Sequence, residues 1–234
     1  MEFEYLLFNL LVTIGPLAGV CAFRKISRLP KGIPALFAIL ITATLFIFLD
    51  HQVTDVWWRF NPNYILKIFR GNLPIEELIF FFSVPFACLI LWVNLKDRTT
   101  DKVSVHVTRL FTLGLWGMLW MGAVIYKEAP YTRFVLITSA CIPVLDILLR
   151  TYLLRSRAFL FFIFGITNAL TLVFNGYLTA RPIVRYNPTT KSGFNIMTIP
   201  FEDFIFGMVL ISLTLILYEF FVRKLASSHH VKTP

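Results

Sequence analysis

The chain has 234 residues, of which 57% are hydrophobic and only 15% are charged. Soluble globular domains carry about 45–50% apolar and about 25% charged residues, so this composition excludes an ordinary soluble domain. The formal net charge of +9 lies mainly in short loops between apolar runs. Basic residues there set membrane topology and contact lipid headgroups, so nucleic-acid binding is not expected.

Seven apolar runs follow one another, each close to the roughly 20 residues that a helix needs to cross a bilayer. Backbone polar groups in lipid must bond within their own segment, so an all-α membrane protein is predicted. The fifth run is the weakest, since Pro143 and Asp146 interrupt it. The predicted spans are 3–23, 32–50, 74–95, 109–126, 134–150, 157–179 and 200–222.

The distribution of basic residues predicts the orientation of these spans. The first, third and fifth loops and the C-terminal tail carry more Lys and Arg than the opposite side of the chain does. Basic loops stay preferentially in the cytoplasm. We therefore expect an external N-terminus and a cytoplasmic C-terminus.

The most informative feature is an internal repeat at an offset of 126 residues. Arg59–Pro62 (RFNP) recurs as Arg185–Pro188 (RYNP), and Pro74–Glu77 (PIEE) recurs as Pro200–Asp203 (PFED), with no gap between the two matches. The predicted organisation is one three-helix repeat in 1–107, a linking helix in 108–127 and a second repeat in 128–234. An even number of spans separates equivalent helices, so the two copies run parallel and present their motifs at the same membrane face.

The acidic motifs are the candidate catalytic groups. Proline and acidic residues suit the first turn of a helix, which is a purely structural explanation. Against it, the motif occurs twice and each copy precedes an apolar helix directly, where ionisable groups are costly and usually functional. The four candidates are Glu76, Glu77, Glu202 and Asp203. Neighbouring positions lie about 100° apart around a helix, so one of each pair is expected to face a cavity.

Two carboxyl groups in unlike surroundings suit proton transfer, since one can stay protonated as a general acid while its ionised partner acts as a base. The other carboxylate of each pair is expected to be held by a neighbouring polar residue. The candidate orienting residues are Arg59, Asn61, Arg185, Asn187 and Asn175.

Aromatic rings close to the motifs are candidates for stabilising a carbocation, because the face of a ring attracts cations. Interface belts and lipid-facing positions explain most aromatic residues in a membrane protein. The candidates next to the motifs are Trp57, Trp58, Phe60, Phe80 and Tyr186.

Other acidic residues suggest ordinary roles. Asp50 and Asp55 fall in the predicted second loop and are interpreted as solvated charges. Asp146 stands four residues before Arg150, which predicts a local ion pair on a helix. The three cysteines form no CxxC pattern and pair with no histidine, so neither a disulfide framework nor a metal site is expected.

The segments LPIEELIFFF (73–82), NGYLTARPIVRYNP (175–188) and TIPFEDFIFG (198–207) resemble the lycopene cyclase domain family. These small membrane cyclases occur in bacteria and archaea as two subunits or one chain, and in fungi fused to phytoene synthase. The resemblance therefore implies an integral protein of a bacterial or archaeal cytoplasmic membrane. The resemblance covers nearly the whole chain and both halves.

The resemblance implies redox-neutral cyclisation of the linear ends of lycopene into β-ionone rings, giving γ-carotene and β-carotene. Glu76, Glu77, Glu202 and Asp203 would take the acid and base roles. No flavin or other cofactor is expected, and the chain has no GxGxxG dinucleotide fingerprint. The expected partners are the apolar isoprenoid substrate, the bilayer and other carotenoid enzymes, while the oligomeric state stays open.

Several alternatives have to be compared with this function. A cyclase of an elongated C50 carotenoid or another terpenoid fits the same residues, and a small proton-coupled transporter fits the paired carboxylates. A retinal protein needs a lysine in its seventh helix, and 200–222 contains none. A diphosphate-dependent enzyme needs acidic clusters that bind Mg²⁺, and no DDxxD-like cluster occurs.

Overall fold

The computed structural model describes residues 3–23, 27–96 and 102–230, so parts of the first and third loops and the end of the C-terminal tail, all used to predict orientation, lie outside the described residues. Within the described residues, seven helical segments are long and apolar enough to cross a membrane, as predicted. The first five are α1 (Glu4–Ala22), α2 (Gly32–Val53), α3 (Ile75–Leu95), α4 (Val105–Ile125) and α5 (Pro130–Leu148).

The sixth span contains α6 (Arg157–Phe161), a π-helical turn (Phe162–Thr167) and α7 (Asn168–Ala180), and the seventh is α8 (Phe201–His230). Two predicted ends are wrong by more than two residues: α2 continues to Val53 and α8 continues well past 222. The fourth and fifth spans begin four residues earlier than predicted, the fifth because Pro130 suits the first turn of a helix.

The internal repeat is visible in the helix bounds. Both ends of α1 recur in α5 at the offset of 126, and the first residues of α3 and α8 correspond in the same way. The starts of these four helices and the ends of α2 and α7 gather at one end of the bundle. The two acidic motifs therefore lie at the same end.

Short strands join the two repeats at this end. The strand β1 (Trp58–Phe60) pairs antiparallel with β4 (Val184–Tyr186), and Arg59 lies directly opposite Arg185. These two arginines are repeat equivalents, so the pseudo-twofold axis passes between them. Each repeat also has a small hairpin before its acidic motif: β2 (Phe69–Arg70) with β3 (Leu73–Pro74), and β5 (Asn195–Ile196) with β6 (Ile199–Pro200).

The helix α8 is the most buried span and packs against α2, α3, α5 and α7. By contrast, α4 is the least buried span and packs mainly against α5. The large core cluster contains residues of both repeats. The two repeats therefore form one integrated bundle, with α4 at its edge.

The predicted ion pair between Asp146 and Arg150 is wrong. The helix α5 ends before Arg150, whose φ of 54° is left-handed, so the helical spacing of the two side chains is lost. The buried carboxylate of Asp146 instead accepts a hydrogen bond from the hydroxyl of Thr151. It also accepts hydrogen bonds from the backbone N–H groups of Leu153 (2.9 Å) and Leu154 (3.1 Å).

Replacing Asp146 by Ala should destabilise the protein, because two backbone N–H groups would lose their acceptor. An unsatisfied buried donor costs roughly 1–3 kcal/mol. The measurement is thermal unfolding in detergent, with a lower Tm expected for Asp146→Ala. Glu128→Ala is the control, since the Glu128 side chain is 90% exposed. Equal Tm values for the two variants would contradict this role of Asp146.

Candidate active site

The four acidic side chains of the repeated motifs are all buried at the starts of α3 and α8. Pro74 and Pro200 precede them as the last residues of β3 and β6. The first turn of a helix has unpaired N–H groups and a positive dipole end, which suit carboxylates. The two members of each pair point to different surroundings, as the angular step of a helix predicts.

The outer carboxylates, Glu76 and Glu202, bind the loops that lead into their helices. The backbone N–H of Leu66 donates to Glu76 Oε1 (2.6 Å), and the backbone N–H of Ser192 donates to Glu202 Oε1 (2.7 Å). Leu66 and Ser192 are repeat equivalents, so both copies use the same anchor. Glu202 also accepts a hydrogen bond from the hydroxyl of Thr132 at 2.5 Å.

The inner carboxylates, Glu77 and Asp203, line a cavity of about 60 Å³ between the two repeats. The hydroxyl of Tyr5 donates to Glu77, and the hydroxyl of Tyr131 donates to Asp203 Oδ1 at 2.8 Å. Tyr5 and Tyr131 are also repeat equivalents. Each repeat thus contributes one tyrosine–carboxyl pair to the same cavity.

Asp203 has further donors that Glu77 lacks. Tyr186 donates to Asp203 Oδ2 at 2.6 Å, and the amide of Asn175 donates to the same oxygen at 3.0 Å. Burial raises the pKa of Tyr186 well above its ordinary value, and the negative charge of Asp203 is the second cause. The Tyr186 hydroxyl therefore keeps its proton at neutral pH. Three neutral donors therefore stabilise the ionised form of Asp203.

Asp50 is a third carboxyl group of this cavity. The prediction of a solvated loop charge is wrong for this residue, because α2 extends to Val53 and leaves Asp50 only 2% exposed. Its Oδ1 accepts a long hydrogen bond of 3.4 Å from Thr54, and its Oδ2 makes no hydrogen bond of 3.5 Å or less among the described residues, although the side chain of Trp58 lies close to the carboxyl group. Asp50 lies within electrostatic range of Glu77. The cavity therefore holds three carboxyl groups with unequal hydrogen bonding.

Aromatic side chains form much of the cavity wall. Four of the five candidates predicted from sequence line it: Trp58, Phe60, Phe80 and Tyr186. Trp57 does not, and its ring packs against Tyr131 and Phe134 instead. Four further aromatic residues line the cavity and were not predicted: Tyr5, Tyr131, Phe81 and Phe206. The three carboxyl groups thus share a small space enclosed by aromatic rings.

Both arginines of the repeated motif lie away from the carboxylates. Arg59 and Arg185 are exposed, and within the described ranges no hydrogen bond or ion pair connects either guanidinium to the four acidic residues of the motifs. The Arg59 guanidinium contacts the backbone carbonyl of Asp55 at 3.5 Å. The expected orienting role is therefore not supported, because the strand pair directs both side chains outward.

The two asparagines of the repeated motif connect the repeats rather than orienting carboxylates. The amide of Asn61 donates to the carbonyl of Pro182 (3.2 Å), and the amide of Asn187 donates to the carbonyl of Val56 (3.0 Å). Asn61 is the repeat equivalent of Asn187, and Val56 is the repeat equivalent of Pro182, so these are the same hydrogen bond formed twice. Of the five candidate orienting residues, only Asn175 contacts a carboxyl group of the cavity.

Tyr5 and Tyr131 were not among the residues predicted from sequence, although the internal repeat could have identified them. They match at the offset of 126 and stand near the starts of the first and fifth spans. Asp50 has no such signal, since its repeat equivalent is Gly176. Only the three-dimensional position of the α2 end identifies Asp50 as part of the cavity.

The comparison with protein families agrees with this geometry. A family model described as lycopene cyclase matches residues 3–94 and 129–221, which are the two repeats in their shared register. No curated protein and no solved structure matches the chain. The match extends over most of the chain and includes all three carboxyl groups of the cavity, so the chain belongs to the lycopene cyclase family.

Proposed function

We propose that this protein is a lycopene β-cyclase, an intramolecular lyase that converts the linear ends of lycopene into β-ionone rings. Membership of the lycopene cyclase family supports a carotenoid cyclase. The observation that carries the chemistry is the group of three buried carboxyls in one aromatic cavity, only one of which has three hydrogen-bond donors.

The proton donor in this proposal is the pair formed by Glu77 and Asp50. Two buried carboxylates within electrostatic range of each other cannot both ionise without a large penalty, so the pair retains a proton. Glu77 accepts one side-chain hydrogen bond, from Tyr5, and one oxygen of Asp50 makes no hydrogen bond of 3.5 Å or less among the described residues. A carboxylic acid with few stabilising donors is well suited to give its proton to a double bond.

Asp203 is the proposed base. Tyr131, Tyr186 and Asn175 all donate to it, and hydrogen bonds to the charged form of a carboxyl group favour ionisation. An ionised Asp203 also stabilises a nearby carbocation electrostatically. This assignment gives the two repeats different roles, although Glu77 and Asp203 are equivalent positions.

The reaction then balances without any redox step. The acid protonates the terminal double bond and produces a tertiary carbocation, and the neighbouring double bond attacks this cation and closes a six-membered ring. Asp203 removes a ring proton from the carbon that gives a β-ionone double bond. The proton returns from Asp203 to the acid pair before the next turnover. Rings such as Trp58, Phe60 and Phe206 stabilise the cation through their faces.

Replacing either inner carboxylate should abolish most cyclisation. In a bacterium that accumulates lycopene, the wild-type protein is expected to form monocyclic or bicyclic carotenes, measured by chromatography and absorption spectra. Glu77→Gln and Asp203→Asn should lower conversion by about 100-fold or more, the usual contribution of acid–base catalysis. Glu219→Gln is the control, because Glu219 is a buried carboxyl that bonds Trp92 and Lys96 instead.

Unchanged lycopene in cells that contain abundant wild-type protein would reject lycopene as the substrate. Elongated C50 carotenoids and other polyprenyl chains would then be tested in the same way. Full conversion by Asp203→Asn would reject the proposed base.

The acid and base variants should differ in their products. Asp50→Asn weakens protonation, the first step, so lower conversion with unchanged products is expected. Residual turnover by Asp203→Asn should include rings with a different double-bond position or cations captured by water, because deprotonation is impaired after the cation has formed. Mass spectrometry of the extracted pigments makes this comparison. Altered products from Asp50→Asn alone would reverse the two assignments.

We further propose that the carboxyl cavity lies near the external face, with the C-terminus in the cytoplasm. The excess of basic residues on the opposite face supports this orientation. A green fluorescent protein fused to the C-terminus should fluoresce, whereas alkaline phosphatase fused there should be inactive. The reverse result would place the cavity at the cytoplasmic face.

A further inference from the structure

Two apolar spaces adjoin the carboxyl cavity, and the internal repeat relates them. The first, here called the inner slot, has a volume of about 80 Å³ and lies between α1, α3, α7 and α8. The second, here called the outer groove, has a volume of about 450 Å³ and lies between α2, α4, α5 and α8. Val12 and Phe80 in the slot correspond to Thr138 and Phe206 in the groove.

The two spaces differ in their access to the carboxyl groups. The inner slot includes Asp203 and Asn175 in its wall and shares Phe80 and Phe206 with the carboxyl cavity. Among the residues that the structure describes, the outer groove shares only Phe206 with that cavity, and none of those lining it is acidic or basic. As a binding site for the end of the substrate, the groove has the larger volume, but only the slot is in contact with Asp203, the proposed base.

A broken repeat position explains why only the slot reaches the base. Gly207 lines the inner slot, and its equivalent in the first repeat is Phe81. The buried ring of Phe81 packs against Phe46, a groove residue, with ring centroids 6.0 Å apart, and so fills the space between groove and cavity. At Gly207 no ring occupies the corresponding position, so Asp203 stays accessible from the slot, and a Cβ atom there would lie 3.1 Å from Thr171 Oγ1, closer than ordinary van der Waals contact.

The helix beside the slot is also irregular. The π-helical turn Phe162–Thr167 ends at a residue of the slot wall, whereas the equivalent stretch of α2 is regular α-helix. Such turns inside helices occur frequently at functional sites. The π-helical turn and Gly207 therefore both lie beside the inner slot, and neither has an equivalent beside the groove.

The contact between α1 and α7 consists mainly of side chains. Phe8 packs against Phe174 and Tyr177 with ring centroids 5.6 and 6.3 Å apart, and Arg181 after α7 binds Glu4 at the start of α1. Side chains can separate by rotamer changes more easily than packed backbones can. This seam is therefore the natural exit for a long chain that begins in the slot.

We propose that the linear end of the polyene substrate binds in the inner slot beside Gly207, with the remainder of the polyene leaving between α1 and α7 into the bilayer. The proposal rests on the proposed function, since it names the substrate position at the same site. It also assigns substrate selection to a single repeat: Gly207 admits the chain end, and Phe81 blocks the equivalent path. The slot widens on binding, as Phe80 and Phe174 rotate away from its axis.

The test uses equivalent substitutions in the two spaces. Val12→Phe and Gly207→Val fill the slot, whereas Thr138→Phe places the same ring in the groove at the position equivalent to Val12. Each variant is expressed in lycopene-accumulating cells, and both the cyclised products and the lycopene that copurifies in detergent are measured at equal protein level. Both slot variants should lower products and bound lycopene by about 10-fold or more, and Thr138→Phe should change neither.

Gly207→Ala is a milder variant that adds a single methyl group and is less disruptive than Gly207→Val. It should lower the cyclised products and the bound lycopene by a smaller factor. Thermal unfolding checks that each variant is folded. Loss of bound lycopene in Thr138→Phe with retention in Gly207→Val and Gly207→Ala would overturn the proposal and favour the groove. If lycopene copurifies with the wild-type protein and is lost in the slot variants, but no cyclised product forms, the proposed function is wrong and the binding site in the slot is supported.

Discussion

The acidic motifs lie at one end of the bundle, and every buried carboxyl group there needs protein hydrogen-bond donors in place of water. An ionisable group without compensating hydrogen bonds is costly in an apolar interior. The outer pair, Glu76 and Glu202, obtains donors from loop backbone, which fixes both loops against their helices. The inner pair obtains tyrosine hydroxyls from the first helix of the same repeat, so α1 is held against α3 and α5 against α8 by the same requirement.

The internal repeat supplies equivalent carboxyl groups, but proton transfer needs unequal ones. Two equal acids in one cavity would compete for the same proton, whereas a donor and an acceptor require different surroundings. The protein obtains this difference at positions where the repeat is broken. The unequal pairs are Asp50 with Gly176, Asn175 with Leu49, Tyr186 with Phe60 and Gly207 with Phe81. Three of these differences concern hydrogen bonding or charge, and the fourth concerns space.

Much of the fold follows from the sequence because lipid permits few backbone conformations. The seven spans were predictable in this way, and the parallel repeats followed from the sequence repeat and the even number of spans between equivalent helices. The burial of the acidic motifs followed from their position directly before apolar helices. The contacts of Arg59 and Arg185 were not, because equivalent placement also arises when two strands pair across a symmetry axis. Asp50 was missed because it stands at the end of the predicted second span, where a solvated charge is the ordinary interpretation, whereas α2 continues for three further residues and Asp50 is buried within the bundle.

The linking helix α4 has little part in the site, yet its presence has a topological cause. Three membrane crossings leave a chain on the side opposite to its start, so a second repeat joined directly would be inserted upside down. One additional crossing restores the original side, and almost any apolar segment would serve, which is consistent with how little of α4 is buried. Two separate polypeptides, each carrying one repeat, would not need this return crossing at all.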